Sequence, residues 1–131
     1  MNNLPNDVLL HIIAYTYSPQ KSELLNDMKN FYDTKHQVIK NYTSRESELD
    51  PYEWIMNDLF RFANEYQPTI YGFTNNFINI FLRNPRISRE TFTSYIEKFE
   101  LMSYIQQINI LLSLLTIHER NNFIESFLNK F

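Results

Sequence analysis

Apolar residues recur three and four positions apart over almost the whole chain, the spacing of one face of an α-helix. The breaks between these runs carry helix start and stop chemistry. Residues 5–17 open with Pro5, suited to a first helical position where a missing N–H costs nothing, and set Val8, Leu9, Ile12 and Ile13 on one stripe. The spacing predicts a second helix over 21–42, with Leu25, Met28, Tyr32, Lys35, Ile39 and Tyr42 in line. Leu24, Phe31 and Val38 widen that face, and Lys35 lays its methylenes along it. A polar link, 43–49, leads to the clearest helix start in the chain: Asp50 as N-cap, Pro51 in first position and Glu53 placed to close a capping box. Tyr52, Ile55, Leu59, Phe62 and Tyr66 then follow at helical spacing as far as Gln67-Pro68, because the residue before a proline is pushed out of the helical region.

Thr69 is the expected cap of a fourth helix over 70–83, with Ile70, Phe73, Phe77 and Phe81 inward and Asn84-Pro85 as the stop. Gly72 falls in its first turn, where it serves close approach or a kink. Ser88 caps a fifth helix marked by Phe92, Tyr95, Ile96 and Phe99. Beyond it two readings stay open, a break near Glu100 or one continuous helix over 89–115. Leu101, Ile105, Ile108, Leu112 and Leu115, widened by Ile110, Leu111 and Leu114, form the most apolar face of the chain and predict its central helix. Thr116 to Glu119 spell a second capping box and start a terminal helix through Ile117, Ile124, Phe127 or Leu128, and Phe131. The whole pattern predicts an all-α fold, a single compact bundle of six or seven helices in one domain over 1–131.

Composition narrows the field. Glycine occurs once, at Gly72, too few for a fold of hairpins and tight turns. A net charge of −3, with acids and bases interspersed, gives no basic surface for phosphates, so no nucleic-acid partner is expected. Cysteine is absent, which removes disulfide scaffolds and thiolate metal sites. The longest uncharged stretches, 66–82 and 101–117, fall short of a bilayer span and contain Gln and Asn, so no membrane insertion is expected. The first residues lack a secretory pattern, and the Asn41-Tyr42-Thr43 sequon is expected to stay idle in an intracellular chain.

Little in the sequence points to catalysis. His118-Glu119 begins like a zinc-protease helix, but Asn122 stands where the second imidazole is required. No glycine-rich loop precedes a helix and no nucleophile elbow exists, so neither a cofactor nor enzyme activity is expected. Arg83, Arg86 and Arg89 form the one local basic cluster, on an interhelical loop, able to grip a phosphate or a partner's carboxylates or simply to stand in solvent. Trp54 sits beside the periodic Ile55, which places its indole at the edge of the core face and makes it a candidate for partner contact.

Residues 4–17, with Leu4-Pro5, Asp7, Val8-Leu9, Ile12-Ile13 and Tyr15, followed by Leu24-Leu25, resemble the opening of an F-box, a helical module that docks on the Skp-type adaptor of a cullin ubiquitin ligase. The resemblance makes 1–42 an F-box-like helical subregion and 50–131 a helical bundle. It implies that Leu4, Pro5, Val8, Leu9 and Ile12 insert into the adaptor. The family's Val-Cys-Lys-x-Trp stretch has no counterpart, since Asn30-Phe31-Tyr32-Asp33-Thr34 stands near there.

In length, in Asn, Ile and Tyr content and in segments such as Trp54-Ile55-Met56-Asn57-Asp58-Leu59 and Tyr66-Gln67-Pro68-Thr69-Ile70-Tyr71-Gly72, the chain resembles short helical proteins encoded by large DNA viruses of protists. Two expectations follow. One is a non-catalytic interaction module that adapts a host ligase in the host cytoplasm. The other is a structural or assembly component of the virion, with other virion proteins as its partners.

Overall fold

The Asp50 side chain accepts a hydrogen bond from the Tyr52 amide and Pro51 takes the first helical position, so the strongest start signal in the sequence does begin a helix. The computed structural model describes residues 22–129. In chain order these form α1 (Ser22–Thr43), α2 (Pro51–Ala63), a 3-10 turn (Thr69–Tyr71), α3 (Asn75–Phe81), α4 (Phe92–Glu100), α5 (Tyr104–Leu114), α6 (Ile117–Phe123) and a π-helical turn (Ile124–Leu128). The fold is all-α, and no strand occurs among the described residues. The helix expected over 5–17 lies outside them, as does Phe131.

α5 is the central element and packs on α1, α2 and α3, while α6 and the π turn close against α1. Ile108, Leu111 and Leu112 of α5 meet Val38 and Tyr42 of α1, Ile55 and Leu59 of α2, and Phe77 and Phe81 of α3 in one buried cluster. Phenylalanine fills the far side of the core. Phe81 lies edge-on to Phe99, with ring centroids 5.3 Å apart, and Phe77 is 5.1 Å from Phe81. Such pairs add about 1 kcal/mol each to the burial of the rings. No helix among the described residues is long and apolar enough to cross a membrane.

The chain breaks at Glu100, and the alternative of one continuous helix over 89–115 does not hold. Ser103 accepts from the Gln106 amide while the Gln106 side chain accepts from the Ser103 amide, a reciprocal cap that starts α5 afresh. The break turns Leu101 out of the predicted apolar face, leaving it 87 % exposed. α6 begins with the capping box read from the sequence, Thr116 with Glu119.

Three other boundaries differ from the sequence pattern. α2 stops at Ala63, short of Gln67-Pro68, because Glu65 and Tyr66 take left-handed backbone angles, φ 56° and 65°. No helix runs over 70–83. Gly72, at φ 107°, ends a single 3-10 turn, and Thr74 rather than Thr69 caps α3 by accepting from the Phe77 amide. Gly72 serves its backbone angle, not close approach, since a side chain there would meet open space. Ser88 is not the N-cap of α4; it bonds with Thr91 in a turn, and the helix begins at Phe92.

The inward face of α1 is also rotated from the apolar stripe of the sequence. Thr34, Val38 and Tyr42 are buried, whereas Leu25 is 46 % exposed. The reason is Arg120. Its side chain is fully buried, and its guanidinium holds Asp27 and Asn30 of α1 on the side that faces α6.

Candidate interaction surface

Asn64, just past the end of α2, is fully buried and organises everything as far as α3. Its amide nitrogen donates to the carbonyls of Gln67 at 2.9 Å and Gly72 at 3.2 Å, and its side-chain oxygen accepts from the Thr74 amide at 2.7 Å. Asn76 then donates to the Ala63 carbonyl at 2.9 Å, stitching α3 back to α2. Backbone bonds complete the loop, with the Tyr66 amide reaching the Arg61 carbonyl at 2.6 Å. Tyr66 stacks on Phe127, centroids 5.9 Å apart.

This well-bonded loop holds two large apolar residues in solvent. Ile70 is 84 % and Tyr71 86 % exposed. Left-handed angles at two non-glycine residues cost of order 1 kcal/mol each, so the presentation is maintained against local strain. Beside it, Phe60, Pro68 and Ile70 line a half-open cleft of about 260 Å³, with Asn57, Arg61 and Thr69 also on its walls.

The residues singled out in the sequence are scattered. Leu4, Pro5, Val8, Leu9 and Ile12 lie outside the described residues. Trp54 is half-buried and engaged internally, edge-on to Tyr42 at 5.6 Å, with the Arg45 guanidinium 4.9 Å from its ring and 4.0 Å from that of Tyr42. Arg45 also donates to Asn41 at 3.0 Å and to the Phe127 carbonyl at 3.1 Å, which anchors the polar link after α1. The sequon is therefore folded into α1, with Tyr42 fully buried and the Asn41 side chain engaged.

The three loop arginines do not converge on a shared partner. Arg83 pairs with Glu119 at 2.6 Å and donates to the Leu114 carbonyl, Arg89 donates to Asn79 at 3.1 Å, and Arg86 is exposed. Burial pushes the Glu119 carboxyl up, but the bonds from Arg83 and the Thr116 amide outweigh it and hold the carboxyl below its ordinary value. His118 is within 3.2 Å of Asn122, the residue that stands where a zinc-protease helix has its second imidazole. No group of three or more His, Asp or Glu at metal-binding distance occurs among the described residues.

The described residues hold one buried titratable pair. The Tyr42 hydroxyl donates to the Asp58 carboxylate at 2.6 Å inside the α1–α2 interface. Burial raises the Asp58 pKa, opposed by the Tyr42 bond and by the charges of Arg61 and Arg45. Burial and the facing carboxylate push the Tyr42 phenol far up, so it remains a donor. The pair packs two helices together.

The described fold is thus a small helical bundle with a rigid apolar loop on its surface. No protein-family model matches the chain, and no curated protein or solved structure is significantly similar to it. The helical spacing of Ile70 to Phe73 and Phe77 predicts an inward residue, whereas the structure holds it in solvent. The signal that separates it is the lone Gly72, followed by Thr74 three residues before Phe77.

Proposed function

We propose that this chain is a non-catalytic protein-protein interaction module that binds a partner through residues 64–74, with Ile70 and Tyr71 at the centre of the contact. The observation that carries the reading is the fully buried Asn64, which fixes a loop whose Ile70 and Tyr71 side chains face solvent. Pre-ordering removes much of the entropy cost of binding, and tyrosine supplies large contact area with few rotatable bonds. A photo-crosslinking residue placed at position 71 of the full chain in its native cell is expected to capture a defined partner. The same residue at the exposed Glu97 is expected to capture none, and equal capture at both positions would defeat the reading.

Docking on a ubiquitin-ligase adaptor is a second form of this proposal. It rests on the partial F-box-like motif of residues 4–33, and the observation favouring it is Leu25, exposed on the first turns of α1. Binding of a purified Skp-type adaptor, weakened by Pro5→Ala and Leu9→Ala, would support it. Binding indifferent to both changes would remove it. If the chain is instead a virion component, the crosslink at position 71 joins it to a coat protein or to its own copy.

A further inference from the structure

The cleft beside the loop has a composition that restricts what enters it. Its apolar part comes from Phe60, Pro68 and Ile70, and its volume of about 260 Å³ exceeds the roughly 150 Å³ of an apolar cavity that accepts benzene. One aromatic or large aliphatic side chain therefore fits. The polar part is uncommitted: the side chains of Asn57, Arg61 and Thr69 make no hydrogen bond or ion pair with one another or with any other described residue.

Arg61 sets the charge. Its backbone is fixed at the end of α2, its guanidinium is exposed, and Glu65, four positions on, forms no ion pair with it. Asp58 feels its field but is bonded to Tyr42 within the helix interface. Arg45, Arg83, Arg89 and Arg120 are bound within the fold, whereas Arg61 stands as a cation on a cleft wall. A guanidinium next to an apolar slot matches a carboxylate next to an apolar side chain. The Asn57 amide and Thr69 hydroxyl can both bond a peptide main chain passing over the slot.

We propose that the cleft between α2 and the 67–70 turn binds an acidic peptide segment of a partner protein, one bulky apolar side chain entering against Phe60, Pro68 and Ile70 while a neighbouring carboxylate pairs with Arg61. The proposal rests on the reading of residues 64–74 as an interaction loop and gives its partner a chemistry. The cleft is half-open and continuous with Ile70, so an extended segment leaving it passes onto the exposed loop.

The test uses the full chain, labelled with nitrogen-15, and three short capped peptides: phenylalanine flanked by aspartates, phenylalanine flanked by lysines, and glycine flanked by aspartates. At low salt the first is expected to shift the amide signals of Asn57, Arg61, Gln67 and Thr69, with the other two at least about fivefold weaker. Arg61→Gln should weaken the aspartate peptide about fivefold, and Arg61→Glu should turn the preference toward the lysine peptide. Both variants change an exposed side chain, and the same spectra report whether the fold is kept. Equal response to the aspartate and lysine peptides, shifts centred elsewhere, or no shifts would overturn the proposal. Loss of peptide binding with the crosslink at position 71 intact removes the cleft and leaves the loop. Peptide binding without any crosslink does the reverse.

Discussion

The guanidinium of Arg120 lies 2.8 Å from the carboxylate of Asp27, 93 positions earlier in the chain, and it also donates to the Leu112 and Ser113 carbonyls at the end of α5. One side chain thereby joins α1, α5 and α6. Asp27 is partly solvated while Arg120 is wholly enclosed, so the arginine's donors matter more than the acid's charge.

Arg120→Met is accordingly expected to lower the unfolding free energy by about 3 kcal/mol, because it takes the guanidinium donors away from the Leu112 and Ser113 carbonyls. Asp27→Asn keeps an acceptor in place and is expected to cost under about 1 kcal/mol. Urea unfolding of both variants measures the difference. Equal losses would assign the effect to the ion pair alone.

Asp58 makes stability depend on pH with a definite sign. Its folded pKa is raised by burial, so the native chain holds this proton over a range where the unfolded chain has released it. Its contribution is complete below about pH 4 and is lost as pH rises through the raised value. Asp58→Asn retains an acceptor for Tyr42 and removes the titration. The wild type is expected to lose stability relative to this variant between pH 4 and neutrality, and a gap that does not change with pH would contradict the assignment. Glu119 acts in the opposite sense and in a different window, since its depressed pKa withdraws stability only as pH falls below its ordinary 4.5.

The loop offers a test that separates strain from packing. Glu65→Gly relieves a left-handed angle at an exposed position and is expected to stabilise by about 0.5–1 kcal/mol. Tyr66→Gly relieves a similar angle but removes the stack on Phe127, and is expected to destabilise. Gly72→Ala is expected to cost 1–3 kcal/mol on backbone angle alone, by order of magnitude. Thermal unfolding of the three variants ranks them.

Asn64→Ala leaves three loop backbone groups without a partner and is expected to cost about 2–3 kcal/mol. Hydrogen exchange at the Thr74 amide should accelerate first. Ile70→Ser with Tyr71→Ser is expected to change stability by under about 0.5 kcal/mol, and Ile70→Ser in the chain that carries the photo-crosslinker at position 71 is expected to weaken capture of the partner. A large loss of stability from this double change would mean the two residues are part of the core.

The helices themselves were legible because their caps are spelled in local residues: Asp50 with Pro51, and Thr116 with Glu119. Ser103 with Gln106 was equally local, and it alone decides between one helix and two across Glu100. Two features were hidden because they depend on distant residues. The turn of Asp27 and Asn30 toward α6 follows from an arginine in that helix, and no periodicity of α1 contains that information. The loop surface was masked by coincidence of spacing, since Ile70 keeps helical register with Phe73 and Phe77 across a glycine whose angle forbids a helix.

Arg83 joins Arg120 at the same place, so the last carbonyls of α5, at Leu112, Ser113 and Leu114, are all held by guanidinium groups from elsewhere in the chain. The two clasps therefore weld α1, α6 and the turn after α3 into one cooperative opening unit, in which slow amide exchange is expected to proceed at a common rate rather than fray inward from α6.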